Sequence, residues 1–252
     1  MRFVRYMWAA LAALGLLAGC SQSDTVGVAT SEIHPQVRVV SSATSTEVTV
    51  VLFRGATGFD RLQLTDDEAL TVRPAGGDPV GMSVQAAGTL AVRYGATLPA
   101  VAPGDQLVIA LTRGFEADAP ATRLTIPVAP AVTAPDAGSR LRPDQPFKVA
   151  WTAFVDGAVE VRFALTSCED LTEDELDVVE VVVGLPGQLT DGSAGETEVT
   201  FFAGNDSLSC EADLLVGRVG DDVDLDAALG GLRSGSRIVR EAPARPLTFS
   251  AP

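Results

Sequence analysis

Apolar and polar residues alternate with a period of two along most of this chain, which is the pattern of β-strands with one buried face. In the first half, the alternating or apolar segments are 37–39, 48–53, 62–64, 90–94, 107–111 and 124–128. The segment 107–111 is apolar throughout, which predicts a strand covered on both faces. Stretches rich in Gly, Pro and Asp separate the segments, and none shows a long helical period. The pattern therefore predicts an all-β chain.

The strand pattern stops at 129–138, which is rich in Pro and Ala, and then starts again. The later segments are 147–151, 159–165, 178–183, 199–201, 214–216 and 247–249. Residues 119–126 resemble residues 242–249, and an apolar run precedes each of them. Pairs of such short strands cannot bury a core alone, so each half is expected to close as a β-sandwich of about seven strands. We therefore expect two tandem domains, 36–129 and 130–252.

One strand of the second half carries a family resemblance. In segment 147–153, alternating apolar residues lead to Trp151, which Thr152 follows. This strand resembles the second strand of fibronectin III and immunoglobulin-like domains, where Trp-Thr or Trp-Ser follows alternating apolar residues. The resemblance implies tandem immunoglobulin-like β-sandwiches, a kind of module that presents loops or a sheet edge to a partner.

The first 20 residues form a different kind of segment. Arg2 and Arg5 precede an uncharged, almost wholly apolar core at 6–19. That core is shorter than the roughly 20 residues that a transmembrane helix needs. A basic start, a short apolar core and small residues before a break are typical of a secretory signal peptide.

The end of this core resembles the bacterial lipobox, in which Leu and two small residues precede a Cys; the residues here are Leu17, Ala18, Gly19 and Cys20. The resemblance implies that the signal peptide 1–19 is removed and that the Cys20 thiol is joined to a diacylglycerol, so that acyl chains anchor the protein. An ordinary secretory signal with a chance Cys is the alternative. Asp after the Cys favours inner-membrane retention, so Ser21 points to the outer membrane.

The segment that follows, 20–35, is polar and has no apolar period, so it is expected to be a flexible lipidated tether. His34, the only histidine, lies at its end and is expected to be a solvated linker residue.

The chain has three cysteines. If Cys20 carries lipid, Cys168 and Cys210 remain, and export brings both to an oxidising compartment. A disulfide between Cys168 and Cys210 is therefore expected. Two separately buried thiols are the alternative.

The charge of the chain limits its partners. The formal net charge is −15, and removal of 1–19 takes away two arginines, leaving 16 basic against 33 acidic residues, near −17. Such a chain is repelled by nucleic acid and by anionic lipid surfaces. The prediction is a chain that binds no nucleic acid and touches the membrane through its N-terminal lipid.

Catalytic motifs point away from an enzyme. A serine triad needs a positioned base, which His34 in a tether cannot supply. The sequence has no clustered Cys and His for zinc and no phosphate-binding Gly loop with Lys. Catalysis by a pair of carboxylates, as in glycosidases, stays open as an alternative, because acidic residues are numerous. We therefore expect a binding or assembly module, with a carboxylate-based envelope hydrolase as one alternative.

Acidic clusters suggest a second alternative. Asp222, Asp224 and Asp226 place carboxylates at alternate positions, which suits the many oxygen ligands of Ca²⁺. The EF-hand pattern fails at Ala227 and Arg233, so a solvated acidic loop is the default and no cofactor is predicted, with calcium left possible. A calcium-dependent adhesion or glycan-binding lipoprotein is the corresponding alternative function.

Short helical turns are the expected exceptions to the strand pattern. A capping box at Thr172 and Glu175 predicts one turn within the acidic cluster 169–177. Segment 224–229, followed by two glycines, predicts another turn with a Gly C-cap.

Together, these features of the sequence predict an outer-membrane lipoprotein of two immunoglobulin-like sandwiches that binds an envelope protein or glycan.

Overall fold

The computed structural model describes residues 22–57, 59–86, 92–143, 145–154, 156–168, 188–200, 209–220 and 222–250. Within these ranges the regular structure is almost entirely β-strand, with two 3₁₀ turns at Thr30–Glu32 and Gly192–Ala194. The strands are Gln22–Asp24 (β1), Ile33–Ser41 (β2), Ser45–Arg54 (β3), Arg61–Gln63 (β4), Ala69–Pro74 (β5), Val80–Gly81 (β6), Ser83–Ala86 (β7), Val92–Pro99 (β8), Gln106–Thr112 (β9), Ala119–Thr125 (β10), Val132–Ala134 (β11), Arg140–Leu141 (β12), Phe147–Trp151 (β13), Ala158–Cys168 (β14), Gln188–Asp191 (β15), Glu196–Val199 (β16), Cys210–Gly220 (β17), Val223–Asp224 (β18), Arg237–Glu241 (β19) and Arg245–Phe249 (β20). No helix in the described ranges is long and apolar enough to cross a membrane.

The first core lies between two sheets. One sheet contains β1, β4, β3 and β2 as successive neighbours, with β8 and β7 attached to β3; the other has the order β18-β10-β9-β5-β6. The period of two predicted for these strands is visible in their burial: along β2 buried and half-buried residues alternate strictly, and Ile33, Val37 and Val39 on the buried face are at most 2% exposed. Each such aliphatic side chain contributes about 1.5–3 kcal/mol on full burial, so this face holds the two sheets together.

The second core lies between the sheet that contains β14, β15, β17, β20 and β12 and a smaller sheet of the order β11-β13-β16. Trp151 is 3% exposed within it, and its indole N–H donates to the carbonyl of Gly192 at 3.0 Å. The rings of Phe147, Phe163 and Phe249 meet edge to face or tilted, with centroids 5.8–6.0 Å apart. The predicted all-β sandwich architecture is thus confirmed, and the strand of Trp151 lies inside a core.

Strand β19 joins the two halves. It pairs parallel with β2, from Arg237 opposite Arg38 to Arg240 opposite Ser41, and antiparallel with β17 of the second sandwich. Ile238 on β19 is fully buried in the first core. In addition, β18 adds to the edge of β10. The division at 129/130 stays a prediction, to which the structure adds that a segment from the second half of the chain completes the first sandwich.

The residues after Gln22 do not form the expected flexible tether. Strand β1 pairs parallel with β4, and Thr25 and Ile33 are 0% exposed. A polar segment can be ordered when backbone pairing and a few buried side chains fix it in place. Strand β1 is too short for alternation of apolar and polar residues to reveal such pairing. His34 accordingly lies in β2, with its Nδ1 buried and without a hydrogen-bond partner among the described residues.

Two further expectations are corrected. Segment 224–229 begins with the short strand β18 and continues as a turn, closed by the N–H of Leu229 donating to the carbonyl of Asp226, so the predicted helical turn is absent there. Strand β9 is fully buried on one face only; the residues at 108 and 110 are half-buried. The acidic cluster 169–177, its capping box and the predicted strand at 178–183 lie outside the described residues.

Candidate functional site

Among the predicted site residues, Cys20 and the signal peptide lie outside the described residues. The nearest described residue is Gln22, two positions later, which opens β1 beside Arg61 of β4. Lipidation therefore stays a prediction, and the structure describes the chain that would follow the anchor.

Cys168 and Cys210 form the predicted disulfide. They lie opposite each other in the antiparallel ladder of β14 and β17, with a Cα–Cα distance of 4.0 Å. The sequence separation is 42 residues. Directly opposite residues on neighbouring strands bring their side chains to the same face. The bond therefore joins the last residue of β14 to the first residue of β17 within one sheet.

The three calcium candidates have other contacts. Asp226 accepts the N–H of Ala121 through Oδ2 and the N–H of Ala228 through Oδ1, both at 2.9 Å. Asp224 lies 3.5 Å from a guanidinium nitrogen of Arg123. Asp222 is exposed, and its carbonyl accepts the N–H of Thr125. In the described ranges, no group of three or more His, Cys, Asp or Glu side chains is placed to hold a metal ion.

The most exposed apolar side chains cluster at one end of the first sandwich. Strand β2 begins there at Ile33, opposite Arg54 at the end of β3, and β9 ends and β10 begins at the same end. We call the segments at this end the apical loops: 25–32, 55–57, 59–60, 64–68 and 113–118. Among the described residues, the three most exposed large apolar side chains all lie in these loops: Phe115 (95% exposed), Val26 (76%) and Phe59 (74%).

Hydrogen bonds tie the apical loops to one another. The Thr30 hydroxyl donates to the Ala117 carbonyl at 2.6 Å, and the Ser23 hydroxyl donates to Asp60 at 3.1 Å. The loops that contain Phe115 and Phe59 are therefore each held to the N-terminal segment by a hydrogen bond close to the aromatic residue. Phe115 and Val26 also line one shallow depression.

A buried ion pair supports these loops from below. The guanidinium of Arg113 pairs with the Glu68 carboxylate, and the two side chains are 2% and 6% exposed. The same guanidinium donates to the carbonyls of Thr25 and Val28, both at 3.1 Å. Burial alone would raise the pKa of Glu68, but hydrogen bonds from Thr25 and the Thr65 N–H and the charge of Arg113 together hold that pKa below its ordinary value. The apical loops thus pack over an ion pair in which the ionised form of the Glu68 carboxyl is favoured.

A second ionic cluster lies where the halves meet. Oε1 of Glu160, on β14, is 3.3 Å from Arg38 on β2 and 3.6 Å from Arg237 on β19. Glu160 is 2% exposed, and its Oε2 has no hydrogen-bond partner among the described residues. Nearby, Arg162 of β14 pairs with Glu241 of β19.

The electrostatics of this junction are dominated by arginine. Burial lowers the pKa of Arg237, and the charges of Arg38 and Arg162 lower it further, against the opposite effect of Glu160. A guanidinium remains charged under all physiological conditions, so Arg237, which is only 18% exposed, is stabilised by the nearby carboxylate of Glu160. The cluster therefore fixes the second sandwich against β2 and β19 in one arrangement.

Sequence reasoning missed both ionic clusters. The charged residues of the junction cluster lie among apolar ones in strands, as solvent-facing residues of an edge strand also do, whereas Glu68 and Arg113 lie in loops, where charged residues are ordinarily solvated. Only the pairing of strands that are distant in sequence shows which of those charges become buried.

The chain matches no protein-family model and no curated protein. Among solved structures, it is similar to the FN1–FN3 domains of chicken CNTN1 (TM-score 0.27, 11% identity, 86% of this chain and 68% of that chain). It is also similar to a chain of a cytokine receptor complex (TM-score 0.27, 19% identity, covering 81% and 97%). A third likeness is to the Yersinia pseudotuberculosis adhesin InvE (TM-score 0.24, 13% identity, covering 85% and 58%). These likenesses do not assign the chain to a family.

Proposed function

We propose that this protein is an outer-membrane lipoprotein, anchored through Cys20, that holds two firmly joined β-sandwiches as a binding or assembly module for an envelope protein or glycan. It acts without catalysis.

The observation that carries the proposal is the position of β1. This strand begins two residues after Cys20 and belongs to the apical end of the first sandwich. The second sandwich joins at the opposite end, because β19 pairs with residues 38–41 of β2 and not with its start. An anchor at Cys20 therefore leaves the second sandwich directed away from the membrane.

Strand β17 gives the direction and the reach of the second sandwich. Its last residues, 217–220, pair with β19, and from there the strand runs back to Cys210. Eleven strand residues cover about 33 Å at roughly 3.3 Å per residue. The disulfide between Cys168 and Cys210 reinforces this far end, where a partner of a membrane-anchored module would meet it.

The ionic junction supports a role in holding and presenting. Glu160 of the second half pairs with Arg38 across the boundary, Glu241 of β19 pairs with Arg162 of β14, and a ladder of backbone hydrogen bonds runs between β2 and β19. A module whose parts keep one relative arrangement loses less conformational entropy on binding than two freely linked domains. The strongly acidic composition supports partners other than nucleic acid.

The proposal is tested in two steps. The intact mass of protein extracted from membranes is expected to show a diacylglyceryl group on a chain that begins at Cys20, and Cys20→Ser is expected to leave the membrane fraction after a salt wash. Chemical crosslinking in native envelopes, followed by purification, is then expected to recover an envelope protein or glycan with the wild type.

The matched control for the second step is Cys20→Ser, which keeps both sandwiches and loses only the anchor. A wild-type chain without the lipid mass contradicts the anchor. A hydrolytic activity that survives purification and disappears on changing one carboxylate contradicts the non-catalytic role.

A further inference from the structure

We propose that the apical loops lie on the lipid bilayer itself, with Phe115, Val26 and Phe59 inserted among the lipid headgroups, so that the first sandwich is docked on the membrane and does not swing on a tether. This inference rests on the proposed lipid anchor at Cys20.

The distance from the anchor to the fold carries the first step. Only Ser21 separates Cys20 from Gln22, so even a fully extended chain places β1 within about 7 Å of the lipidated residue. Because Gln22 lies beside Arg61 at the apical end, that end is the part of the protein nearest to the acyl chains. Phe59 lies two residues before Arg61 in the chain.

The chemistry of the apical loops carries the second step. Phe115 is almost fully exposed at 95%, and Phe59 and Val26 are about three-quarters exposed. Exposure of a large aromatic side chain to water is unfavourable, and exposed aromatic side chains on fixed loops are typical of interaction surfaces. Aromatic and aliphatic side chains on a polar background suit the boundary between headgroups and acyl chains.

Rigidity and tethering carry the third step. The loop of Phe115 is held by the hydrogen bond from Thr30 to Ala117 and by the hydrogen bond from Arg113 to Thr25. Insertion of Phe115 into the bilayer therefore costs little conformational entropy. Once the lipid anchor is in the membrane, contact of these loops is an intramolecular event at high effective concentration, and a weak apolar contact is enough to populate it.

Charge selects the kind of lipid. The apical loops carry exposed acids, among them Asp66, Asp67 and Glu116. These would be repelled by anionic headgroups, so the occupant is a surface rich in zwitterionic lipid.

Tryptophan fluorescence with the full lipidated chain tests the inference. The mature chain has one tryptophan, Trp151, which is buried in the second core and serves as a constant background. The variants Phe115→Trp and Phe59→Trp are reconstituted in phosphatidylcholine vesicles with and without brominated acyl chains. Loss of the added fluorescence in brominated vesicles is the expected result for both variants.

The matched control is Val128→Trp, because Val128 is 59% exposed just beyond the opposite end of β10. Its fluorescence is expected to be the same in both kinds of vesicle. Quenching at 128 equal to that at 115, or no quenching at 115 and 59, overturns the docked orientation. Each sample is checked by intact mass, so a chain that is lipidated but not quenched refutes this inference alone, whereas a chain without lipid refutes the anchor and the inference together.

A photo-crosslinking residue at position 115 distinguishes the bilayer from a protein partner in native envelopes. Lipid adducts support the inference. Protein adducts without lipid adducts overturn it.

Discussion

Arg38 and Glu160 come from different halves of the chain and form an ion pair of 3.3 Å across the junction. Glu160 is almost fully buried, whereas Arg38 is one-third exposed. Removal of one partner is therefore expected to cost more free energy of unfolding than it does in a surface pair, and less than in a fully buried pair. Its geometry depends on β19, which lies between β2 and the second sandwich and contributes Arg237 to the same carboxylate.

Glu160→Gln is expected to destabilise the protein by about 2 kcal/mol, because it leaves two arginines without their carboxylate. The matched control is Glu32→Gln, which breaks a pair with Arg54 that is about half exposed on both sides and should cost at most about 1 kcal/mol. Urea unfolding of both variants measures the difference. Equal losses would mean that the junction pair contributes no more than a surface pair.

Acidification is expected to destabilise the apical loops through Glu68. The pKa of this carboxyl is lower in the folded protein than its ordinary value of 4.5, so the unfolded chain binds the proton more readily. The stabilisation is therefore fully present above pH 4.5 and is lost as the pH falls through the folded pKa. Thermal unfolding followed from pH 7 to pH 3 measures the loss.

Glu68→Gln removes this contribution and leaves Arg113 buried without its carboxylate, which is expected to cost about 3 kcal/mol near neutral pH. The difference between variant and wild type should shrink as the pH falls below 4.5. A constant difference across that range contradicts the assignment to Glu68.

The disulfide is expected to contribute up to about 4 kcal/mol, the chain-entropy value for closing a loop of this length. The double variant Cys168→Ser/Cys210→Ser should therefore unfold at markedly lower urea concentration. Titration of the denatured, oxidised wild type is expected to find no free thiol from these two residues. Two reactive thiols in that assay would contradict the bond.

Calcium is expected to leave the melting temperature unchanged, because both carboxylate oxygens of Asp226 already accept backbone N–H groups and Asp224 faces Arg123. Asp226→Asn is expected to lose about 1 kcal/mol, as for the loss of a capping carboxylate. Melting curves with Ca²⁺ and with chelator test both statements. A rise in melting temperature with Ca²⁺ that Asp226→Asn abolishes would establish the calcium-binding alternative.

Cleavage between the halves is expected to leave the two fragments associated. A protease site introduced after Val128, which is 59% exposed, cuts the chain while β19 still pairs with β2. The fragments should therefore elute together in gel filtration and separate only in denaturant. Elution of two independent folded pieces would show that the shared ladder is not needed for either sandwich.

The sequence predicts the strands and the disulfide because both depend on local or countable features. The alternation at Val37 and Val39 marks a buried strand face directly, and the two cysteines left over beside the predicted lipidation site define one pairing. It does not predict the burial of Glu160, since a charged residue in a strand has the same pattern whether its partner is water or another strand. It does not predict the burial of Arg113 either, because Arg113 follows β9 in a loop, where charged residues are ordinarily solvated.

The N-terminal segment and β19 were missed for a related reason. Strand β1 is three polar residues long, and its order comes from β4 and from the burial of Thr25, which a window of alternation cannot detect. Ile238 and Val239 form a short apolar pair whose partner, β2, lies about 200 residues earlier, so no local pattern assigns it to the first sandwich.

The parallel pairing of β2 with β19 also sets an order of events while the chain is made. Arg240 contacts Ser41 across a separation of 199 residues, so the first sandwich lacks a strand until almost the whole polypeptide has emerged. At typical synthesis rates of 5–20 residues per second, that interval lasts about 10 to 40 s. Throughout it, the edge of β2 has unpaired backbone groups that could add to another chain. Productive biogenesis therefore depends on keeping the early half from aggregating until its last strand arrives.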